Sequence, residues 1–207
     1  MRKAIALLAV LGLTAGYFAA NVSADKDDKK AEKFEATCPV SGTAAKQEHS
    51  VKHRGKMVYF CCPNCPKAFE ADRKKFALKT NVQFLETKQI TQVACPFAGK
   101  PVAADTAVAL GKTTVSFCCG NCKAKAEKSE DLAALVFADF DKGFTLQTEC
   151  PVSGKGIVAE HFAEHEGKKA YFCCPNCKAA FEKDPAKFTS KLPQFKVAKK
   201  GGKKKAE

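Results

Sequence analysis

Twelve cysteines dominate the chemistry of this 207-residue chain, and they form three sets of four with identical spacing. Each set reads C-x22-C-C-x2-C, so one cysteine stands alone and three follow in a tight group. Thiolates bind soft and borderline metals such as copper and zinc, and C-x2-C pairs are typical of zinc sites. The sequence therefore predicts three thiolate metal sites. The sets are Cys38, Cys61, Cys62 and Cys65; Cys95, Cys118, Cys119 and Cys122; and Cys150, Cys173, Cys174 and Cys177.

The residues around each set predict a turn, a β-hairpin and a helix. The first cysteine opens a Cys-Pro-x-x-Gly segment, in which proline fixes one φ angle and glycine permits a left-handed conformation. A Gly-Lys pair between two extended runs predicts the hairpin turn. The cysteine pair then enters a helix, whose free N–H groups favour a thiolate. Phenylalanines seven residues apart predict a buried face on this helix: Phe69 and Phe76, and Phe181 and Phe188.

The repeat divides the chain into small units, each with its own cysteine set. Units of about 50 residues are seldom stable through apolar burial alone and usually need disulfides or a metal. We therefore expect three separate small α+β beads, each folded around its own metal. The predicted divisions are a signal peptide (1–24), a charged linker (25–36), repeat one (37–90), repeat two (91–146), repeat three (147–195) and a Lys-rich disordered tail (196–207).

Two longer motifs carry a resemblance to a known family. Repeat one has Val58-Tyr-Phe-Cys-Cys-Pro-Asn-Cys65, and repeat three has Tyr171-Phe-Cys-Cys-Pro-Asn-Cys177, each followed by Ala-Phe-Glu. Both resemble YHS domains, which belong with the TRASH-type metal-binding domains. The resemblance implies a treble-clef-like fold and heavy-metal handling, copper especially. Repeat two keeps the cysteines but departs from the motif, with Ser116 in place of tyrosine and Gly120 in place of proline.

The resemblance also implies which cysteines bind metal. Its pattern of one turn cysteine followed by C-x3-C gives three ligands per repeat: Cys38, Cys61 and Cys65; Cys95, Cys118 and Cys122; and Cys150, Cys173 and Cys177. Spacing alone favours the C-x2-C pair instead, and would enlist the second member of each vicinal pair: Cys62, Cys119 and Cys174. The sequence leaves both assignments open.

The first turn lacks the second cysteine that a complete four-cysteine treble clef would carry. Ser41, Ala98 and Ser153 stand at that position. The site must then recruit the extra vicinal cysteine, use a histidine, or stay three-coordinate. Three thiolates with an open position suit Cu(I), whereas closed four-coordination suits structural zinc.

Histidines supply further candidate ligands in repeats one and three only. His49 and His53 lie twelve and eight residues before the cysteine pair, and His161 and His165 repeat these offsets. Residues four apart on a strand face the same way, so each pair could approach one metal. His53 and His165 adjoin the hairpin turn and are the better candidates. The alternative is that all four are exposed hairpin residues.

The first residues predict export. Arg2 and Lys3 precede an apolar run at Ala4–Leu13, which is shorter than the roughly 20 residues of a membrane span. Val22 and Ala24 favour cleavage after Ala24, which predicts a periplasmic or secreted protein with no stable span after signal removal. An uncleaved anchor is the alternative. Export also permits disulfides.

The chain is basic, with a formal net charge of +13, and six lysines lie in the tail. Such a tail could bind polyanions or an anionic membrane, but a solvated disordered end is the favoured interpretation. No aromatic residues are interleaved within the Lys-rich end, so no nucleic-acid partner is predicted.

These patterns together predict an exported protein that sequesters or delivers copper or zinc, with a metal-handling protein as a further partner. No nucleophile–base pair or phosphate loop stands out, so we do not expect an enzyme. One alternative is a zinc-stabilised structural or partner-binding module. Another is a thiol–disulfide oxidoreductase using Cys-Pro-Asn-Cys, although the larger βαβ scaffold of such enzymes is lacking.

Overall fold

The structure, a computed structural model, describes residues 34–195. The predicted signal peptide, most of the charged linker and the Lys-rich tail lie outside these residues. Within them, no helix is long and apolar enough to cross a membrane. The strands are β1 (Lys46–His53), β2 (Lys56–Phe60), β3 (Thr91–Gln92), β4 (Val108–Leu110), β5 (Thr113–Val115), β6 (Phe144–Thr145), β7 (Val158–His165) and β8 (Lys168–Phe172). The helices are α1 (Asn64–Ala71), α2 (Ala77–Glu86), α3 (Gly120–Glu127), α4 (Leu132–Val136), α5 (Phe140–Gly143), α6 (Pro175–Lys183), α7 (Ala186–Thr189) and a 3-10 turn at Pro193–Phe195.

The strands form small antiparallel pairs. Strands β1 and β2, β4 and β5, and β7 and β8 are the hairpins of repeats one, two and three, and each leads into a cysteine pair and a helix. Strands β3 and β6 pair with each other and join the beginning of repeat two to its end. This confirms a small α+β architecture with short antiparallel hairpins. The treble-clef description of each repeat stays a prediction.

The hairpin turns begin one residue earlier than the Gly-Lys pairs predict in repeats one and three. Arg54 and Gly55 both have positive φ angles, of 51° and 80°. Glu166 and Gly167 show the same pair of angles, at 50° and 70°. Two consecutive left-handed residues make the two-residue turn whose twist matches that of the flanking strands. The lysine that follows is therefore the first residue of the next strand.

A bulge interrupts the long first strand of repeats one and three. In β1 the pairing register shifts between Lys46 and Ser50, and β7 shifts in the same way around His161. Extra residues in one strand break the alternation of side chains between the two faces. His49 and His161 lie inside the irregular stretches, so the four-residue spacing no longer implies that each histidine pair lies on one face.

The helix that follows each cysteine pair is shorter than predicted in repeats one and three. Phe69 lies in α1, but α1 ends at Ala71 and Phe76 precedes α2. The Asp72 carboxylate accepts the backbone N–H of Lys75 at 3.1 Å, a local bond that competes with helix continuation. The rings still pack, with centroids 6.4 Å apart. Phe69 is fully buried and Phe76 half-buried, so the predicted phenylalanine packing is confirmed in part, whereas the single helix is wrong.

Repeats one and two share one hydrophobic core, and repeat three has another. Helix α2 of repeat one packs against β2 and against α4 of repeat two. The shared core includes Phe84, Phe117 and Phe144, all buried. The core of repeat three is built around Phe172 and Phe181. The description as an independent bead therefore fits only the third repeat, because the first two repeats pack around one shared core.

Glu86, the last residue of α2, connects the first two repeats through hydrogen bonds. Its carboxylate accepts the backbone N–H of Thr37 at 2.7 Å and that of Lys112 at 3.0 Å. Thr37 immediately precedes the first cysteine, and Lys112 lies in the hairpin turn of repeat two. A Cβ atom at Gly111 would lie 2.5 Å from the carboxylate, and Gly111 has a φ of 63°. The close approach of the two repeats therefore requires glycine there.

The shared core predicts that a cavity in α2 destabilises both of the first two repeats. Phe84→Ala removes a fully buried ring and should cost about 3–5 kcal/mol. Hydrogen exchange followed by mass spectrometry should show lost protection across 36–146 and unchanged protection across 147–195. Phe188→Ala is the matched control and should affect repeat three alone. Loss of protection confined to 37–90 in Phe84→Ala would contradict a shared core.

Candidate metal centres

Each repeat brings three cysteine sulfurs together, and we call each group a sulfur triad. The Sγ atoms of a triad all lie within 4.8 Å of one another. The two sulfurs at the helix start lie 3.6 Å apart in repeat one, 3.8 Å in repeat two and 3.7 Å in repeat three. With zinc–sulfur bonds of about 2.3 Å, tetrahedral ligands lie about 3.8 Å apart and trigonal ligands about 4.0 Å apart. The donor type and spacing therefore fit a thiolate-bound metal. The triads are Cys38, Cys61 and Cys65; Cys95, Cys118 and Cys122; and Cys150, Cys173 and Cys177.

The first sulfur of each triad is held by the predicted tight turn. Gly42 donates its N–H to the carbonyl of Cys38 at 2.8 Å, and Cys38 donates to the carbonyl of Thr43 at 2.7 Å. Gly42 has a φ of 78°, which glycine adopts without strain. Repeats two and three have the same two bonds. The turn buries the first cysteine, since Cys38 is fully inaccessible to solvent.

A glutamine side chain joins this turn to the strand that leads into the cysteine pair. In repeat three, the Gln147 amide accepts the backbone N–H of Tyr171 at 2.9 Å and donates to the carbonyl of Glu149 at 2.9 Å. Tyr171 lies two residues before the cysteine pair, and Glu149 lies one residue before the first cysteine. In repeat two, Gln92 bonds Ser116 and Ala94 in the same way. The amide therefore sets the distance between the two halves of the triad.

In repeat one the same role falls to Gln83, which comes from helix α2 rather than from the segment before the turn. Gln83 accepts the N–H of Tyr59 at 2.8 Å and donates to the carbonyl of Thr37 at 2.8 Å. Sequence analysis missed all three glutamines. A Gln-x-x-Cys motif before the first cysteine marked those of repeats two and three, but Glu35 occupies that position in repeat one. No local pattern singled out Gln83.

The serines of the first turn contact the sulfur triad. Ser41 Oγ lies 3.2 Å from Cys61 Sγ, and Ser153 Oγ lies 3.1 Å from Cys173 Sγ. The hydroxyl of Ser41, followed by that of Thr43, lowers the pKa of the Cys61 thiol to about 6. Repeat two has Ala98 here and lacks the hydroxyl. The position that a fourth cysteine would fill therefore already faces the sulfurs in repeats one and three.

Backbone N–H groups favour the thiolate of the first cysteine in repeats two and three. Burial raises the pKa of Cys150, but the N–H of Cys173 and the hydroxyl and N–H of Ser153 outweigh it and lower this pKa to about 6. The pKa of Cys95 is also lowered: burial opposes ionisation, and the N–H groups of Cys118 and the turn overcome it. The turn therefore supplies donors to a sulfur that is already buried.

The last sulfur of each triad resists ionisation, and in repeat two burial, followed by the Cys95 thiol, raises the pKa of Cys118 as well. Burial, followed by the neighbouring thiols, raises the pKa of Cys122 and of Cys177 to about 12, and raises that of Cys65 as well. Thiolates packed this closely repel each other, so this sulfur ionises less readily without a counter-charge. A bound cation supplies that charge and favours the thiolate outright.

The second cysteine of each vicinal pair lies just outside the triad, and we call it the outer cysteine. Cys119 Sγ is 3.9 Å from Cys118 Sγ, and Cys174 Sγ is 3.8 Å from Cys173 Sγ. Cys62 Sγ is 3.5 Å from Cys65 Sγ. The first member of each pair, rather than the outer cysteine, therefore stands in the group that includes the buried turn cysteine.

The histidines predicted as weaker ligands contact phenylalanines. The ring of His53 meets Phe69 edge-on, with centroids 5.4 Å apart, and His165 meets Phe181 at 5.9 Å. Burial, followed by Arg73 and Arg54, lowers the pKa of His53. Among the described residues, no candidate metal group includes a histidine. The structure therefore places His53 and His165 in the packing around the helix rather than with the sulfurs.

Comparison with protein-family models, with curated proteins and with solved structures found no match for this chain. The likeness to YHS domains therefore stays a prediction from the motifs of repeats one and three. What the structure establishes is three cysteine triads with the geometry to hold a metal ion.

The glutamine contacts predict that Gln83 controls access to Cys38 in the metal-free protein. Gln83→Leu leaves the buried carbonyl of Thr37 without a partner, at a cost of about 1–3 kcal/mol. We expect Cys38 to be alkylated about tenfold faster or more, as measured by residue-resolved mass spectrometry.

Gln89→Leu is the matched control for this experiment. Gln89 bonds the N–H and carbonyl of Met57, both at 2.7 Å, on the same strand, and it has no bond to the turn among the described contacts. Its loss should leave the alkylation rate of Cys38 much closer to that of the unmodified protein. Equal effects of the two substitutions would show that general destabilisation, rather than the bond to the turn, exposes Cys38.

Proposed function

We propose that this protein is an exported metal-binding protein that sequesters or delivers a soft or borderline metal, copper or zinc, through its sulfur triads. The observation that carries the proposal is the threefold occurrence of three thiol sulfurs at metal-site spacing. Export is inferred from the N-terminal sequence, and the metal from the ligand chemistry. A metal-handling protein is the expected partner for transfer.

The surroundings of the sulfurs support metal binding over a purely inert thiol cluster. Hydrogen-bond donors favour a thiolate in two of the triads. The Ser41 hydroxyl does so for Cys61, and donors of the turn do so for Cys150. Thiolates, rather than thiols, are metal ligands. Binding of a cation would release the proton held by the last sulfur of a triad. The protein therefore favours one thiolate ligand in each of these two triads before the metal arrives.

The ligand number favours a metal that accepts three sulfurs. Each triad supplies three. At the turn position that a fourth cysteine would fill, repeats one and three have a serine whose hydroxyl contacts a triad sulfur, and repeat two has an alanine. Hydroxyl oxygen is a harder ligand than thiolate, whereas Cu(I) prefers soft thiolates. We therefore place Cu(I) first and zinc second. Three linked sites on one chain would raise the local metal concentration.

Metal loading followed by native mass spectrometry tests the proposal. The mature protein, reduced and loaded with Cu(I), should carry metal at all three triads, and a parallel loading with zinc compares the two ions. Cys38→Ser, Cys95→Ser and Cys150→Ser should each remove the metal of one triad and leave the other two as internal controls. No retained metal with twelve free thiols would overturn the proposal.

Two other results would favour the alternatives. Retained zinc that does not exchange for Cu(I), with loss of fold on chelation, would favour a structural zinc module. Catalysed reduction of a disulfide substrate, abolished by Cys62→Ser or Cys174→Ser and insensitive to chelators, would favour an oxidoreductase. The loading experiment therefore separates all three functions.

The open fourth position predicts that Ser41→Cys converts the first triad to a four-sulfur site. Ser41 Oγ already lies 3.2 Å from Cys61 Sγ, so a sulfur there needs little rearrangement. We expect zinc affinity at this site to rise about tenfold or more, because four sulfurs close the tetrahedron. The Co(II)-substituted protein should show the intensified visible absorption of a four-thiolate site.

Ser41→Ala is the control for the loss of the hydroxyl alone, and it should leave the Co(II) spectrum with three sulfurs. Ala98→Cys tests the same position in repeat two, where no hydroxyl is present. An unchanged Co(II) spectrum in Ser41→Cys would show that the turn does not face the metal position.

A further inference from the structure

We propose that each repeat contains a second, outward metal position, formed by the outer cysteine and two sulfurs of the triad, through which metal enters and leaves. This inference rests on the proposed metal-binding function and assigns a role to Cys62, Cys119 and Cys174. The ligand would be Cu(I), and the exchange partner would be a thiolate of an incoming small molecule or protein.

The sulfur spacing continues beyond the triad. In repeat two, Cys118 Sγ lies 3.9 Å from the outer Cys119 and 3.8 Å from Cys122. In repeat three, Cys173 Sγ lies 3.8 Å from the outer Cys174 and 3.7 Å from Cys177. These distances match the spacing of sulfurs around one metal at about 2.3 Å. The outer cysteine can therefore reach a metal that the two helix-start sulfurs still hold.

Repeat one has the same arrangement with a different central atom. Cys65 Sγ lies 3.6 Å from Cys61 Sγ and 3.5 Å from the outer Cys62. The outer sulfur again contacts a member of the triad at metal-site distance. In all three repeats, therefore, the outer sulfur lies at metal-site distance from one triad sulfur, which lies at a similar distance from a second.

Solvent exposure changes steadily across the four sulfurs of repeat two. Cys95 is fully buried, Cys118 and Cys122 are half-buried, and Cys119 is exposed. A metal in the inner triad is held by a sulfur that an incoming ligand cannot reach. A metal in the outer set is held by a sulfur at the surface. A metal that moves from the inner triad to the outer set therefore passes from a position closed to incoming ligands to one that they can reach.

The exchange step requires no change of oxidation state. Starting from Cu(I) on Cys95, Cys118 and Cys122, a bond to Cys119 forms as the bond to Cys95 breaks. Any proton on Cys119 passes to solvent as its copper bond forms, and Cys95 is left as a thiolate. An incoming thiolate then replaces Cys119 at the surface. Each step makes one copper–sulfur bond and breaks one, so the copper is never released as a free ion.

The position of the outer cysteine makes its replacement structurally mild in two repeats. Cys119 and Cys174 are the N-cap residues of α3 and α6, with extended backbones at φ −163° and −161°. Serine is among the preferred residues at a helix N-cap. Cys119→Ser and Cys174→Ser should therefore preserve the fold and remove only the sulfur.

The test compares the kinetics and the stoichiometry of Cu(I) binding in the full mature chain. The triple variant Cys62→Ser, Cys119→Ser, Cys174→Ser is loaded with Cu(I) and mixed with a chromogenic Cu(I) chelator in stopped flow. We expect transfer at least about tenfold slower than in the unmodified protein, with the same number of bound Cu(I) and an equilibrium affinity within about twofold. The triple variant Cys38→Ser, Cys95→Ser, Cys150→Ser is the matched control, and it should instead lose stoichiometry or affinity.

The outcomes separate this inference from the function on which it rests. An unmodified protein that retains no Cu(I) would overturn the proposed function, and the exchange role with it. Full loading with an unchanged transfer rate in the outer-cysteine variant would overturn the exchange role alone. A fall in stoichiometry or affinity in that variant would show that the outer cysteines are resident ligands, which also overturns it.

Discussion

The hydrogen bonds of one glutamine amide connect the two halves of every sulfur triad. Twenty-two residues separate the first cysteine from the pair, and the units are too small for a large core to fix that distance by packing. A primary amide can accept from one backbone group and donate to two others. The amide therefore holds the residue before the first cysteine against the end of the hairpin. Gln83 and Gln147 are almost completely buried, which makes these bonds costly to leave unmade.

The array is not uniform, because the repeats differ in how they are stabilised. Repeat one takes its glutamine from α2, and α2 also packs against repeat two, so the first triad depends on the junction between the repeats. Repeat two in turn contributes a glycine turn that fits against Glu86. Repeat three supplies its own glutamine and its own core. Sulfur triads of similar geometry are therefore embedded in bodies of different size.

The chemistry of each site follows from what surrounds three sulfurs rather than from the sulfurs alone. Close thiolates repel, so the triad holds a proton until a cation binds. The serine of the turn stabilises a neighbouring thiolate without adding a fourth sulfur. The outer cysteine adds a sulfur on the solvent side. In repeat two, a buried turn cysteine and an exposed outer one give the sulfur cluster an inner and an outer side.

The sequence by itself determined the local elements: the cysteine register, the glycine turn, the hairpin and the buried phenylalanines. These depend on residues close together in the chain, whose conformational preferences and spacing are readable directly. Only the tertiary structure decided which member of the vicinal pair joins the turn cysteine. It also decided that a bulge interrupts the strand carrying each histidine pair, that Gln83 replaces the missing Gln-x-x-Cys glutamine, and that the first two repeats share a core. Each of these depends on contacts between distant segments or on a register shift, and neither leaves a periodic trace in the sequence.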